Sequence, residues 1–411
     1  MSLEYVILAC GYVFGFYMAW NIGANDVANS MASAVGARAI TLRQAVFIAG
    51  ILNIIGAIFI GSHVTNTIRK GIVSTDVLAD PNMALIGGLS ALLAAALWVS
   101  FATWKSLPVS TTHSIVGAMI GFGIMAGGFS VINWAKLGQV VASWIISPFF
   151  SLVIAYLTFQ IIIRSIYRKK NASGTALKLS PLFIGMAVLI VALSFLFKTP
   201  LGESMNVSTP MAIGWALVIS AVCGVAGKAA IIRFGMRHEG DETETIFRRI
   251  QIGTSCYVAL AQGANDVANA IGPLALIYYI VKTGSVAGIN TVPVPIFLLA
   301  FGGIGIATGI AMAGRRVIET VGSRITTLNN TRGFSVDFAA ATTVMAASKM
   351  GLPVSTTHAA VGGVIGVGLA RGFEAVNFRV IYSIVIYWIL TVPAAAITSM
   401  VVFKLLQFML F

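Results

Sequence analysis

The chain has 411 residues, 58% hydrophobic and only 9% charged, with 26 Lys and Arg against 13 Asp and Glu and a formal net charge of +13. So few charges cannot clothe a water-soluble surface of this size, which places the chain in a lipid bilayer. Strand-period alternation is absent, so the expected class is an all-α polytopic membrane protein and not an outer-membrane barrel.

In chain order, MSLEYVILACGYVFGFYMAW has neither a basic leader nor a small-residue cleavage site and reads as a first membrane helix. GANDVAN follows at 23–29, then apolar runs at 44–62 and 84–104. Each run approaches the roughly 20 residues that a helix needs to cross a hydrocarbon core. LPVSTTH occupies 107–113 and leads through Gly117, Gly121 and Gly123 to a loop near Gly127, before a run at 137–163. The runs at 180–197 and 211–232 carry no motif polar group and read as scaffold. GANDVAN recurs at 263–269 and LPVSTTH at 352–358, with apolar runs at 293–313 and 377–403. Cys10, Cys223 and Cys256 show no paired or metal-type spacing and read as small core residues.

The placement of positive charge argues for membrane orientation and against a nucleic-acid partner. Arg164, Arg168, Lys169, Lys170 and Lys178 precede one pair of runs, and Arg233, Arg237, Arg248 and Arg249 follow it, so both loops fall on one side. That side is expected to be cytoplasmic. Counting onward places Arg38, Arg43, Arg315, Arg316, Arg324, Arg332, Arg371 and Arg379 inside, with Arg69, Lys70, Lys136, Lys198, Lys282 and Lys404 outside. Both termini are then expected on the outer face of a cell membrane.

The two motif pairs mark a duplicated unit. By this topology the helix entering the first GANDVAN starts outside and the helix entering the second starts inside, so the halves are inverted. Inverted repeats with polar, Gly/Pro-interrupted helices in matching positions are the mark of a secondary transporter. The expected division is a first repeat at 1–163, a two-span linker at 164–249 and a second repeat at 250–411. About twelve membrane segments are expected, two of them re-entrant helical hairpins carrying the Ser-Thr-Thr turns.

Asp26 and Asp266 lie in apolar sequence, where an Asp at mid-helix costs about 2.5 to 3.5 kcal/mol, so each calls for a partner. Asn29 and Asn269 stand three residues later on the same helix face. With backbone carbonyls freed at a Gly break, these groups make a hard oxygen set suited to a small cation, sodium or a proton. Pro108 and Pro353 exclude regular helix at the preceding residue. Ser110, Thr111 and Thr112, like Ser355, Thr356 and Thr357, then cap and open a new helix whose unpaired amides suit a tetrahedral oxyanion. His113 and His358 end each copy, as ligand or proton groups or as packing residues. Lys105 and Lys349 precede the prolines and could attract an anion or snorkel to an interface. Gln262 stands where the first copy has Ile22, which makes any role it has asymmetric.

At these residues the sequence resembles the inorganic phosphate transporter family, and within it the sodium/phosphate symporters. The duplicated GANDVAN and PVSTTH motifs carry the resemblance over the full length. It implies phosphate as substrate, a re-entrant hairpin at each PVSTTH, cation coupling, no enzymatic activity and a homodimer. Phosphate would contact Asn25, Ser110, Thr111, Thr112, Asn265, Ser355, Thr356 and Thr357, and sodium would be held by Asp26, Asn29, Asp266 and Asn269. The large polar central loop of the animal members is missing, since only residues 233–249 stand there. Proton coupling, sulfate as substrate, an anion channel and a membrane-embedded metal-dependent enzyme are the competing readings.

Overall fold

Apolar helices make up the computed structural model, which describes residues 3–68, 80–198, 202, 205, 207–234, 241–286, 294–350 and 354–410. In chain order they are α1 Leu3–Gly36, α2 Leu42–Ile68, α3 Pro81–Trp104, α4 Thr111–Gly127, α5 Trp134–Ile162, α6 Ala172–Lys198 and α7 Thr209–Phe234. Then come α8 Glu242–Thr283, α9 Ile296–Ala313, the short α10 Arg315–Glu319, α11 Asn330–Lys349, α12 Thr356–Leu369 and α13 Phe378–Leu410. Among the described residues nine helices are long and apolar enough to cross a membrane, and α4 and α12 are shorter apolar helices. The fold is an all-α, multi-span membrane fold.

Local chemistry sets the helix ends. Asp80 caps α3 by accepting from the Asn82 amide, with Pro81 in the first turn. Asp241 caps α8 through the Thr243 amide, Glu242 and Glu244 complement its N-terminal dipole, and Gly284 ends it in the left-handed conformation at φ 67°. With 42 residues, α8 is about 63 Å long, roughly twice a hydrocarbon core. Its charged first turns therefore project beyond the apolar layer.

The helices pack in matching pairs. α2 packs on α8 as α9 packs on α1; α13 packs on α4 as α5 packs on α12; α3 meets α13 as α11 meets α5. The first helices of the two halves run antiparallel: Gly11 faces Ile277, whereas at the other end Arg248 Nε donates to the Ala39 carbonyl at 2.8 Å. These symmetric, crossed contacts are those of an inverted repeat. α6 and α7 pack mainly on each other, and Phe183 ties them to Phe247 of α8 and Phe334 of α11.

The expected break at the GANDVAN glycines is not there, because α1 and α8 run unbroken through both motifs. These glycines serve close helix crossing instead. A Cβ at Gly23 would lie 1.9 Å from the Ile306 carbonyl oxygen of α9, and one at Gly263 would lie 2.3 Å from that of Asn53 in α2. α1 and α8 therefore supply side chains to the site, and in α8 Pro273, which has no amide hydrogen, leaves the Asn269 carbonyl without its ladder donor.

The polar connections gather at one end. Glu244 accepts from Tyr167 Oη at 2.6 Å, from Asn329 Nδ2 at 2.7 Å and from the Asn330 amide at 2.6 Å, tying the end of α5 to the starts of α8 and α11. Arg371 Nη1 donates to Thr327 Oγ1 at 2.6 Å, and the Asn377 amide to the Ile325 carbonyl at 2.9 Å. The connections at 38–41, 163–171, 320–329 and 370–377 thus share the end where α8 begins. Arg69 and Lys70 lie outside the described residues.

Candidate functional site

Each LPVSTTH builds a helix start of the expected kind. Ser110 is extended (φ −82°, ψ 116°) and its hydroxyl accepts from the His113 amide at 3.2 Å. Ser355 does the same for His358, at 3.2 Å. Pro353 lies outside the described residues. α4 and α12 accordingly start at the threonines and point their first turns at each other.

The side chains of α1 and α8 join the two turns crosswise. Asn29 Nδ2 donates to Thr356 Oγ1 at 3.2 Å and Thr357 Oγ1 at 3.0 Å. Asn269 Nδ2 donates to Thr111 Oγ1 at 3.3 Å and Thr112 Oγ1 at 3.1 Å. Each asparagine thus serves the turn of the opposite half. Asp26 bridges both turns, accepting from Thr111 Oγ1 at 2.6 Å and from Thr357 Oγ1 at 3.4 Å. Thr357 Oγ1 also reaches the Val109 carbonyl at 3.2 Å. Residues more than 300 positions apart in sequence so meet at one point.

The matched residues differ in occupancy. Asp26 is 1% exposed and bonded through both oxygens. Asp266 is 3% exposed, and its Oδ2 has no hydrogen-bond partner, as is also true of Asn29 Oδ1 and both ends of the Gln262 amide. Among the described residues no lysine or arginine forms a salt bridge with either aspartate. Buried polar oxygens of this kind ordinarily have partners, so these are the groups of the site with donor capacity to spare.

Asn25 is fully committed to the fold. Its Nδ2 donates to Thr103 Oγ1 at 2.9 Å and to the Leu107 carbonyl at 3.1 Å, and its Oδ1 accepts from the Val109 amide at 3.0 Å. It clamps the extended segment at Pro108. Asn265, at the matching position, is half-buried and lines a cavity of about 30 Å³ with Gln262, Asn29 and Thr356. That volume holds about two waters. Tyr257 and Ala341 border both this cavity and a second of about 330 Å³, which extends to Asp337 and Arg249. The two cavities lead from the site toward the end where α8 begins.

The histidines sit one residue beyond the threonines in an aromatic stack. Their ring centroids are 4.7 Å apart at 88°, His113 lies 4.1 Å from Trp144, and His358 lies 3.8 Å from Trp388. His358 Nδ1 contacts the Trp144 carbonyl at 3.1 Å, and Trp388 Nε1 donates to the Pro108 carbonyl at 3.0 Å. Both rings are packed against tryptophans, while His113 Nδ1 and Nε2 and His358 Nε2 are buried without a hydrogen-bond partner. Lys105 is exposed and rests over Trp104 at 4.3 Å, the snorkelling alternative.

Sequence reasoning missed a second polar layer. Tyr17 and Asn21 stand at four-residue spacing before Asn25, on one helix face, and that spacing was the available signal. Tyr17 Oη lies 2.5 Å from Ser100 Oγ, which donates to Asn21 Oδ1 at 2.7 Å. It also missed Asp337, 2% exposed, which accepts from Ser33, Thr254 and Ser255 across three helices.

The sequence profile of the phosphate transporter family matches residues 22–399. The chain belongs to the phosphate transporter family. A family member from Thermococcus kodakarensis, named as a phosphate permease, is 49% identical over 96% of both chains. An inorganic phosphate transporter of Arabidopsis thaliana, named as chloroplastic, is 40% identical over 97% of this chain and 72% of its own length. A solved structure titled as the sodium-dependent phosphate transporter superposes with a TM-score of 0.89 at 45% identity, covering 98% of this chain and 99% of that one.

Proposed function

We propose that the chain imports inorganic phosphate by alternating access, coupled to a cation gradient, with sodium as the cation. The meeting of two Ser-Thr-Thr helix starts at one carboxylate carries this reading. Ser110 takes the amide of His113, so the amides of Thr111 and Thr112 and their counterparts at Thr356 and Thr357 are the ones an oxyanion would meet. Ser110, Ser355 and Asn265 complete the phosphate set, with Asn25 acting through the Pro108 segment that it holds. Asp26, Asn29, Asp266 and Asn269 hold sodium, and Gln262 adds a carboxamide on one side only. An anion entering against an inside-negative 100 mV is opposed by about 2.3 kcal/mol per charge, and bound cations reverse that sign. The names of the relatives and of the solved structure support phosphate and sodium as the pair carried.

α4, α11 and α12 added to the nine long apolar helices make twelve membrane segments, with α3–α4 and α11–α12 as re-entrant hairpins whose tips meet at the site. The repeats span 1–163 and 250–411 and flank a linker at 164–249. The end that gathers the basic connections is cytoplasmic, both termini are outside, and the protein works as a homodimer in the cell membrane.

The test is labelled-phosphate uptake into proteoliposomes under separately imposed sodium and pH gradients. Accumulation should follow an inward sodium gradient and resist excess sulfate. Flux that ignores both gradients would assign a channel, and equal competition by sulfate would broaden the substrate.

A further inference from the structure

The two halves carry the same site but close it differently. Aligning the GANDVAN copies pairs Tyr17 with Tyr257 and Asn21 with Ala261, and aligning the LPVSTTH copies pairs Ser100 with Met345. In the first half these positions form a hydrogen-bonded chain from α1 to α3, Tyr17 to Ser100 at 2.5 Å and Ser100 to Asn21 at 2.7 Å. In the second half Ala261 and Met345 line the cavity that reaches the site, and Tyr257 stands beside them.

Two neighbours of these positions are identical in the two halves. Ala96 and Val99 of α3 correspond to Ala341 and Val344 of α11, identical residue types at identical register. Ala96 and Val99 are fully buried, whereas Ala341 and Val344 are half-buried cavity residues. Among the positions that differ, Asn21 and Ser100 hydrogen-bond to each other where Ala261 and Met345 cannot, and Gln262, in the place of Ile22, has both amide ends unpartnered. Asn21 is itself 0% exposed, and its Nδ2 is held by the Tyr17 carbonyl at 2.9 Å.

We infer that Tyr17, Ser100 and Asn21 form a polar latch that keeps the α1–α3 route to the site shut, and that the α8–α11 route opens because it has the tyrosine without its two partners. The inference rests on the alternating-access reading. Breaking polar bonds in an apolar layer leaves donors and acceptors unmet, so the latched route opens reluctantly. Sliding Met345 past Ala261 leaves none. The inverted repeat is thereby biased toward the state open at the end where α8 begins.

Exchanging the latch between the halves tests this. In a background with Cys10, Cys223 and Cys256 replaced by alanine, single cysteine reporters Val99→Cys and Val344→Cys are labelled with a maleimide in detergent, where both faces are accessible. Asn21→Ala with Ser100→Met should raise the Val99→Cys labelling rate by at least about tenfold and lower that of Val344→Cys. Ala261→Asn with Met345→Ser installs the missing partners beside Tyr257 and should slow Val344→Cys labelling by about tenfold. Should the first variant misfold, the second decides alone. Unchanged reporter rates, or rates that rise at both positions together, overturn the latch. Failure of the transport reading is seen separately, as wild-type protein that accumulates no phosphate under any gradient.

Discussion

Asp26 and Asp266 have the same sequence context and different surroundings. Asp26 is satisfied by two threonines that belong to opposite halves, so it holds the turns together in addition to the cation-binding role proposed for it. Asp266 keeps a free oxygen, so in the proposed cation set it is the member with less of a structural role. Asp266→Asn should therefore abolish the sodium dependence of phosphate uptake while preserving the thermal midpoint within a few degrees. Asp26→Asn should lose uptake and also lower that midpoint. Uptake that stays fully sodium-driven in either variant contradicts the assignment. Asn25 and Asn265 separate similarly: Asn25→Ala removes three bonds to the Pro108 segment and should cost about 2 kcal/mol or more of stability. Asn265→Ala should raise the Michaelis constant for phosphate by about tenfold with little change in melting. These residue types were legible in the sequence because a lone carboxylate in an apolar run demands a partner. Which of each pair is free was not, since that depends on Thr103, Leu107 and Val109, 78 to 84 positions away.

At the scale of elements, the Ser-capped starts of α4 and α12 were readable from the proline followed by hydroxyl residues. The uninterrupted course of α1 and α8 was not. A glycine within a helical pattern signals either a break or a close crossing, and only the partner helix decides between them. Here the partners are carbonyls of α9 and α2 in matching positions. Gly263→Ala should force α2 and α8 apart, costing about 1 to 3 kcal/mol as overpacking does. Gly138→Ala, with nothing within 4 Å, should be neutral or stabilising. Thermal melting of the two detergent-solubilised variants reads the difference, and equal midpoints would show that the crossing is not tight. The polarity of Tyr17, Asn21 and Ser100 was hidden for a related reason. Single polar residues in long apolar helices carry little signal until α1 and α3 are placed side by side.

For the whole molecule, duplication and charge bias set most of the architecture, because a motif pair repeated in the same order but in inverted orientation leaves few ways to bring both copies together. The packing obeys that rule: each half lends its asparagine to the other half's turn, so neither half holds a complete site. In the proposed shared site the two bindings are linked by one reciprocal factor, and opposite charges held close together make each strengthen the other. The most direct measurement is equilibrium binding of labelled phosphate to purified protein across a sodium titration, paired with sodium binding across a phosphate titration. The account predicts that saturating sodium tightens phosphate binding at least about tenfold and that phosphate tightens sodium binding by the same factor. Phosphate affinity that does not change with sodium, in protein that still binds phosphate, would contradict it.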